Sequence, residues 1–355
     1  MGDKKAFLCL LGYLFGVGIV IASFVFCVDP FYHYHDVWFD LPVVLENAVY
    51  QTAGAASHLQ YDSAIVGTSM TENLRTSWFD DELGWNTMKL SYSGARTDDL
   101  RAILEQIYSR DVPPAHIVLD LNDYQLTVPS WTAYVERPEY LYDGNILTDA
   151  PYLYNYDIIM LAMERIVDGV SGRESNIDNA YVWGNEKSFG SDIALKDASS
   201  TREQLLKTDP EPVDWEGMLQ CCDENLNNIL PYIELHPETQ FFIYYPPYSM
   251  LYWEQKVLQG SLWEILEIYR HSIGCLLQYE NVNVYYFQYE PEIISNLDNY
   301  LDVAHHRPEY NRYIFECIRD GRNLVTEENL QLYIDSMYEY AKNYDYDTLW
   351  KDFTP

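Results

Sequence analysis

The sequence places a serine, an aspartate and a histidine in an order that suits nucleophilic acyl chemistry. Ser69 follows a short apolar run and a Gly-Thr turn, and Asp302 stands three residues before His305. A hydroxyl is a weak nucleophile at neutral pH, so it needs an imidazole to accept its proton, and the imidazole needs an acceptor that fixes its tautomer. Ser69, His305 and Asp302 are therefore the candidate nucleophile, general base and orienting carboxylate.

Three groups are candidates to bind the negative charge that develops during acyl transfer. The backbone N–H of Ser69 is predicted to lie at a helix N-terminus, where an anion is stabilised. Gly94 ends a second strand-turn unit and lets the backbone approach a substrate oxygen. Asn122 ends a third unit and offers a side-chain amide. Each position also has a purely structural interpretation: a helix cap at Ser69, a turn glycine at Gly94 and an Asx turn at Asn122.

In this order, the motifs resemble those of the SGNH hydrolase superfamily, also called GDSL esterases and lipases. The resemblance covers residues 61–321 and rests on four blocks: Gly67-Thr68-Ser69-Met70-Thr71-Glu72, the Gly94 turn, Leu121-Asn122-Asp123 and Asp302-x-x-His305. It implies a Ser69-His305-Asp302 triad and an oxyanion hole formed by the Ser69 N–H, the Gly94 N–H and the Asn122 amide. The first block is closer to membrane-anchored relatives that modify cell-envelope polymers than to soluble Gly-Asp-Ser-Leu lipases. Asp120 replaces the glycine that the family has in the third block.

Two other residues near these blocks, His306 and Tyr248, could belong to the site. His306 is displaced by one residue from the family spacing, so we expect it to point away from Ser69. Tyr248 lies in the loop Tyr245-Pro246-Pro247-Tyr248-Ser249, which two prolines make stiff. Tyr248 is therefore a candidate substrate-binding residue, and a rigid structural turn is the equal alternative.

The N-terminus predicts a membrane anchor. Residues 6–28 contain no charged side chain, are preceded by Lys4 and Lys5, and are followed by Asp29. As a helix this segment is about 35 Å long, enough to cross a bilayer. The positive charges predict a cytoplasmic N-terminus and an extracytoplasmic catalytic domain. A cleaved signal peptide is the alternative, but no small-x-small site follows the apolar run, which favours a retained single-pass anchor in the cell membrane.

Beyond the anchor, short apolar runs alternate with helix-period segments. This alternation predicts a three-layer α/β/α fold with a five-stranded parallel sheet, and the resemblance makes it the flavodoxin-like SGNH fold. The candidate strands are residues 63–66, 87–91, 116–121, 240–245 and 282–287. The candidate helices are residues 97–109, 154–167, 215–235 and 326–344, the last with Thr326 as its cap.

The chain divides into four predicted segments. They are an anchor (1–28), a juxtamembrane connector (29–60), an SGNH-like catalytic domain (61–325) and a C-terminal helix and tail (326–355). A Tyr-rich insertion at residues 124–212 interrupts the domain between the third and fourth strands and is expected to overhang the site. Its tyrosines can form a saccharide-binding wall, although the 33 tyrosines of the chain favour packing.

Composition excludes some partners. Asp and Glu number 55 against 22 Lys and Arg, for a formal charge of -33, so nucleic acid is not an expected partner. Cys9 and Cys27 lie in the anchor, and the pairing of Cys221, Cys222, Cys275 and Cys317 is open. No C-x-x-C pair is present, which excludes a zinc ribbon, and His33 and His35 suit the membrane interface better than a metal. We expect no metal and no cofactor.

These features favour an extracytoplasmic serine acyl-esterase or O-acyltransferase that acts on cell-envelope polysaccharide or glycolipid through an acyl-serine intermediate. The substrate is an acylated saccharide or glycolipid, and a multispanning membrane acyltransferase is a candidate acyl donor. The sequence does not decide whether water or a sugar hydroxyl takes the acyl group. The alternatives are a catalytically silent SGNH-like binding partner of a membrane acyltransferase, and a lipase or phospholipase, which predicts an apolar acyl groove.

Overall fold

A computed structural model describes residues 2–132, 134–351 and 353. Residue 133 of the predicted insertion and residues 352, 354 and 355 of the predicted tail lie outside the described residues. In chain order, the α-helices are α1 Gly2–Val28, α2 Ala48–His58, α3 Ser69–Glu72, α4 Thr76–Leu83, α5 Thr97–Tyr108, α6 Asp123–Thr127, α7 Ala150–Leu153, α8 Tyr156–Ser171, α9 Ser191–Leu205, α10 Trp215–Leu226, α11 Leu230–Leu235, α12 Met250–Leu258, α13 Leu262–Leu276, α14 Pro291–Ile294, α15 Pro308–Asp320, α16 Leu330–Asn343 and α17 Tyr346–Trp350. The strands are β1 Ser63–Gly67, β2 Thr87–Ser91, β3 His116–Asp120, β4 Gln240–Tyr245, β5 Val282–Tyr286 and β6 Leu324–Val325.

The strands form one mixed sheet, so the prediction of an α/β fold is confirmed. In the described part of the chain the sheet has six strands in the order β2-β1-β3-β4-β5-β6. β1 to β5 are parallel and β6 pairs antiparallel with β5. The predicted five-stranded, purely parallel sheet therefore needs a correction. β6 was missed because its two residues are too few to show a period.

Both faces of the sheet are covered by helices. In β1, Ala64 and Val66 belong to the larger apolar core together with Leu104 of α5. Ile65, between them, belongs to a second core together with Phe315 of α15. Because successive side chains of a strand point to opposite faces, these two cores lie on the two sides of the sheet. The strand is apolar on both faces for this reason, which is the pattern expected of a parallel sheet.

Several helices differ from the sequence prediction. The predicted connector contains α2, whose Ala55 and Ala56 are buried in the larger core, so its second half is part of the folded domain. The helix predicted at residues 215–235 is split into α10 and α11, with Pro231 in the first turn of α11, where its missing N–H is tolerated. The predicted C-terminal helix begins at Leu330, after a turn in which the Thr326 N–H donates to Asn329.

α1 is long and apolar enough to cross a membrane, and no other helix in the described residues is. Most of its side chains are exposed along its first half, while Val25, near its C-terminal end, is buried in a small core with Tyr152 and Ile158 of the insertion. Immediately after α1, the buried Asp29 carboxylate accepts hydrogen bonds from three backbone N–H groups and from the Tyr152 hydroxyl. The end of α1 is therefore fixed to the domain.

Candidate active site

The polar residues singled out in the sequence meet at one edge of the sheet. Ser69 follows β1, Gly94 follows β2, Asn122 follows β3 and Tyr248 follows β4. Because these strands are parallel and in register, their carboxyl ends lie side by side. His305 reaches the same edge from the loop before α15.

The structure brings Ser69, His305 and Asp302 into one hydrogen-bonded chain. The Ser69 Oγ lies 2.8 Å from Nε2 of His305, although the two residues are 236 positions apart. On the other side of the ring, Nδ1 of His305 lies 2.7 Å from Oδ2 of Asp302. The second oxygen of Asp302 accepts the backbone N–H groups of Ala304 and His305. The carboxylate is thereby held in place and selects the tautomer in which Nδ1 carries the proton and Nε2 can accept one from Ser69.

In the hydrogen-bonded chain, His305 and Asp302 each shift the pKa of the other in the direction that favours the charged form. Burial by itself lowers the pKa of His305, but the hydrogen bond and the negative charge of Asp302 outweigh it, and the net pKa of His305 is raised. Burial by itself raises the pKa of Asp302, but its bonds to His305 and Ala304 outweigh it, and the net pKa of Asp302 is lowered. Asp302 therefore stays ionised and stabilises the imidazolium that forms when His305 accepts a proton.

His306 does not take part in this chain. It is buried, its Nδ1 contacts the Arg307 carbonyl, and it pairs with Tyr300 in an isolated antiparallel bridge. Burial lowers the pKa of His306 to about 4, so it is neutral near pH 7. His306 is a structural residue of the loop that presents its neighbour.

The turn that presents Ser69 is fixed by Asp120. The Asp120 carboxylate accepts the Thr68 N–H at 2.7 Å and the Thr68 hydroxyl at 2.8 Å, and the same hydroxyl accepts the Met70 N–H. A Cβ at Gly67 would collide with this carboxylate, so only glycine allows the close approach. Asp120 thus fixes the turn that presents Ser69, the candidate nucleophile.

The three predicted oxyanion donors have different environments. Ser69 is the first residue of α3, so its N–H has no partner within that helix. Gly94 has a positive φ of 77°, and its position is covered by the Tyr134 ring, with which a Cβ would collide. The Asn122 amide donates to Gln125 at 2.9 Å and to Asp120 at 3.3 Å, within the cap of α6. Its role as an oxyanion donor stays a prediction and requires the amide to leave these partners.

Glu72 is a buried carboxyl group beside the candidate triad, and no role was predicted for it from the sequence. It is 5% exposed, and its two oxygens accept the Ser93 N–H and the Ser93 hydroxyl, both at 2.8 Å. Burial raises the pKa of Glu72 to about 7, against the opposing effects of Ser93, Lys89 and His305. In turn, the negative charge of Glu72 contributes to the raised pKa of His305. The only sequence signal was an acidic residue in the block that carries the nucleophile.

The insertion contacts Ser69, the candidate nucleophile, directly. The Trp183 indole N–H donates to the Ser69 carbonyl at 3.0 Å, and the Trp183 ring meets the His305 ring edge-on at 5.2 Å. The next residue, Gly184, donates its N–H to the Asn73 side chain at 2.9 Å. These contacts bring the insertion against Ser69 and His305, and Trp183 had no signal in the sequence beyond its lying in that segment.

A buried lysine ties the same elements together. The ammonium of Lys89, in β2, donates to the carbonyls of Glu72 at 3.0 Å and Ala180 at 2.9 Å. Burial lowers the pKa of Lys89 to about 7. Lys89 thereby links the end of α3 to the insertion just before Trp183.

Tyr248 is placed beside the site but is mostly buried. It is 6% exposed, and its ring packs edge-on against Tyr252 at 4.8 Å. Burial raises the pKa of Tyr248 well above its usual value, and the charges of Asp123, Asp120 and Asp302 act in the same direction. Tyr248 thus serves packing, and its contact with substrate stays a prediction.

Fold and site together define an α/β protein with a mixed, mostly parallel sheet and a Ser-His-Asp hydrogen-bonded chain at its carboxyl edge. The sequence matches no protein-family model and no curated protein. The geometry of the site is therefore the basis for the function proposed below.

Proposed function

We propose that this chain is a serine acyl-esterase or O-acyltransferase of the SGNH type, acting outside the cytoplasm on cell-envelope polysaccharide or glycolipid. The observation that carries the proposal is the chain of two short hydrogen bonds from Ser69 through His305 to Asp302. A binding module has no need of an imidazole that is oriented by a carboxylate and in contact with a hydroxyl.

The proposed reaction follows from the direction of these hydrogen bonds, which lets a proton pass from Ser69 to His305. As the Ser69 oxygen bonds to the acyl carbon, its proton moves to Nε2 of His305, and Asp302 remains ionised. His305 then gives the proton to the leaving oxygen when the original ester bond breaks. Water or a sugar hydroxyl next gives a proton to His305 as its oxygen bonds to the acyl carbon, and His305 returns that proton to the Ser69 oxygen as the acyl-serine bond breaks. Hydrolysis and transfer differ only in this second acceptor.

The strand order and the position of the site support the SGNH assignment. The five parallel strands follow the order 2-1-3-4-5 of a flavodoxin-like sheet, with helices on both faces. The candidate residues follow the carboxyl ends of the strands, where such sheets bind ligands. We propose a three-layer α/β/α domain of this type.

We further propose that α1 is a retained anchor, with Lys4 and Lys5 in the cytoplasm and the domain outside the cell membrane. The length and apolar character of α1 and the attachment of its end to the domain through Asp29 support this. A protein held in this way meets substrates that are part of the envelope.

Fluorophosphonate labelling of the full-length protein in detergent tests the nucleophile. We expect the wild-type protein to label and Ser69→Ala to lose labelling, because the probe reacts with an activated serine. Ser109→Ala, which changes an exposed serine on α5's C-terminal cap, is the control and should label like wild type. If the wild-type protein neither labels nor hydrolyses p-nitrophenyl acetate, the enzymatic proposal fails.

Product analysis separates the two reactions. The protein is supplied with an acetyl ester donor and a free oligosaccharide, and mass spectrometry measures free acetate and acetylated oligosaccharide. An acyltransferase gives acetylated oligosaccharide that depends on Ser69, whereas an esterase gives acetate alone.

A further inference from the structure

Helix α8 of the insertion carries its apolar side chains outward. Val167 is 64% exposed and Val170 is 86% exposed, values that are high for large apolar residues of an ordered helix. Spacings of three and four residues place such side chains on one side of the helix. This outer face of α8 consists of Tyr156, Met160, Met163, Val167 and Val170.

The opposite side of α8 is buried and is charged only in part: Ile158 and Ala162 are apolar, and Arg165 and Asp168 form an ion pair. Arg165 is 2% exposed, and its guanidinium donates to Glu46 at 2.6 Å and to Asp168 at 2.5 Å. Arg173 donates to the same two carboxylates. A helix on the surface of a protein in water normally turns its large apolar side chains toward the core and its charged side chains outward. In α8, by contrast, the ion-paired Arg165 is buried while Val167 and Val170 face outward. The orientation of α8 therefore fits an apolar environment outside the protein.

The outer face of α8 continues onto the end of α1. A cleft beside Val170 and Ile166 is lined on its other side by Phe24 of α1 and by Phe39 of the connector. Phe39 is itself 73% exposed. The exposed apolar surface of the N-terminal helix and that of the insertion thus form one continuous patch.

The contact of Tyr154 with α1 shows how far along the anchor this patch extends. A methyl group on Gly18 would lie 3.9 Å from the Tyr154 ring, just before α8. Gly18 precedes the end of α1 by ten residues, or about 15 Å of helix. A bilayer that covers α1 up to Val28 must therefore also reach Tyr154.

We propose that the outer face of α8 is immersed in the outer leaflet of the bilayer that α1 spans. This rests on the proposed membrane span and extends it, because the insertion becomes a second membrane contact. Lipid is the occupant because the patch is continuous with the spanning helix. Since the same insertion holds Ser69 through Trp183, immersion keeps the active site close to the membrane surface and favours substrates attached to lipid.

Photo-crosslinking tests this contact in the full-length protein. A benzoylphenylalanine is placed at Val167 or at Val170, and each variant is reconstituted in phosphatidylglycerol/phosphatidylcholine nanodiscs. After irradiation, intact-mass spectrometry measures the fraction of protein that carries one phospholipid. We expect at least a tenfold larger fraction for both variants than for the same residue at Val112, a valine elsewhere on the domain whose exposure of 72% lies between theirs.

Two control measurements show whether α1 lies in lipid and whether each variant is folded. Benzoylphenylalanine at Phe15, 72% exposed on α1, reports whether the anchor itself is in lipid, and thermal melting confirms that each variant is folded. Lipid adducts at Phe15, with Val167 and Val170 no higher than Val112, would overturn the α8 proposal and leave the anchor standing. Absence of adducts at Phe15 as well would overturn both.

The identity of the crosslinked molecule decides between lipid and protein. A dimer of this chain in nanodiscs, or a protein adduct without lipid in native membranes, would mean that a protein covers the outer face of α8, and the lipid proposal would fall. Lipid adducts at α8 in a protein that does not react with fluorophosphonate would support the membrane contact and reject only the enzymatic proposal.

Discussion

At the scale of single residues, the environment of His305 sets the reactivity of Ser69. Asp302 and Glu72 both raise the pKa of His305, one through a direct hydrogen bond and one through its charge. A base with a raised pKa is stronger but is protonated over a wider range of pH. The rate of acyl transfer is therefore expected to fall as pH decreases through a pKa above that of an ordinary histidine.

We expect Asp302→Asn to lower kcat/KM for acetyl ester hydrolysis on the order of 10³- to 10⁴-fold. An amide at this position can donate to Nδ1, which favours the tautomer whose Nε2 cannot accept the Ser69 proton. Steady-state kinetics with p-nitrophenyl acetate measures the loss. Asp347→Asn changes a fully exposed aspartate and is the control. A loss of less than tenfold in Asp302→Asn would contradict the role of Asp302.

Glu72→Gln is predicted to change the pH dependence of stability. The pKa of Glu72 is raised to about 7 by burial, so folding favours the protonated form. The stability contributed by this group is fully present below the ordinary pKa of 4.5 and is lost as pH rises from there to about 7. A neutral glutamine avoids that loss, so the variant should gain on the order of 3 kcal/mol relative to wild type between pH 5 and pH 9.

Denaturant unfolding of both proteins at the two pH values measures this difference. Equal slopes of stability against pH in wild type and Glu72→Gln would show that Glu72 ionises in the folded protein at its ordinary pKa. The same variant should also move the acidic limb of the esterase pH profile to lower pH, because one negative charge near His305 is removed.

At the scale of elements, the insertion connects α1 with the candidate active site. Its residues near Trp183 hold the nucleophile turn, and its helices α7 and α8 pack against α1. The junction is the buried Asp29, whose two oxygens accept four hydrogen bonds. The position of α1 relative to the candidate site is thus set in part by one carboxyl group, together with the apolar packing of α1 against α7 and α8.

Asp29→Asn is expected to destabilise the domain by about 2 to 3 kcal/mol, because the new NH₂ group faces backbone N–H groups and leaves them unsatisfied. Asp40→Asn is a matched control, since Asp40 is exposed, lies in the same segment and also has a positive φ. Denaturant unfolding in detergent measures the effect. A variant as stable as the control would show that the Asp29 hydrogen bonds contribute little.

At the scale of the whole molecule, charge and the proposed anchor bear on where the protein works. With a formal charge of -33, the protein is not suited to capture an anionic polymer by charge, so we expect recognition of the proposed envelope substrate to rely on polar and aromatic contacts at the site. An anchored domain also meets its substrate in two dimensions, which lowers the affinity that it needs.

Protease protection in right-side-out membrane vesicles tests the orientation. With an epitope tag at each terminus, external protease should remove the C-terminal tag and spare the N-terminal tag until detergent is added, because Lys4 and Lys5 keep that end inside. The reverse pattern would place the domain in the cytoplasm and overturn the proposed localisation.

The sequence by itself determined the elements of the fold whose signals are local. The five parallel strands were predicted to within one residue at each end, because buried parallel strands are short apolar runs between turns. The apolar N-terminal helix and the order of Ser69, Asp302 and His305 were equally readable. The short antiparallel β6 and the break between α10 and α11 were missed, since each depends on a few residues only.

Only the tertiary structure decided which distant residues meet. Trp183 lies 114 positions from Ser69, and Asp120 lies 52 positions from Thr68, so no periodicity or motif relates them. The same holds for α8, whose sequence shows an apolar side but not that this side faces outward, because that depends on the burial of Arg165 against Glu46. Local patterns specify strands and helices, whereas contacts between segments far apart in the chain form only when the whole chain packs.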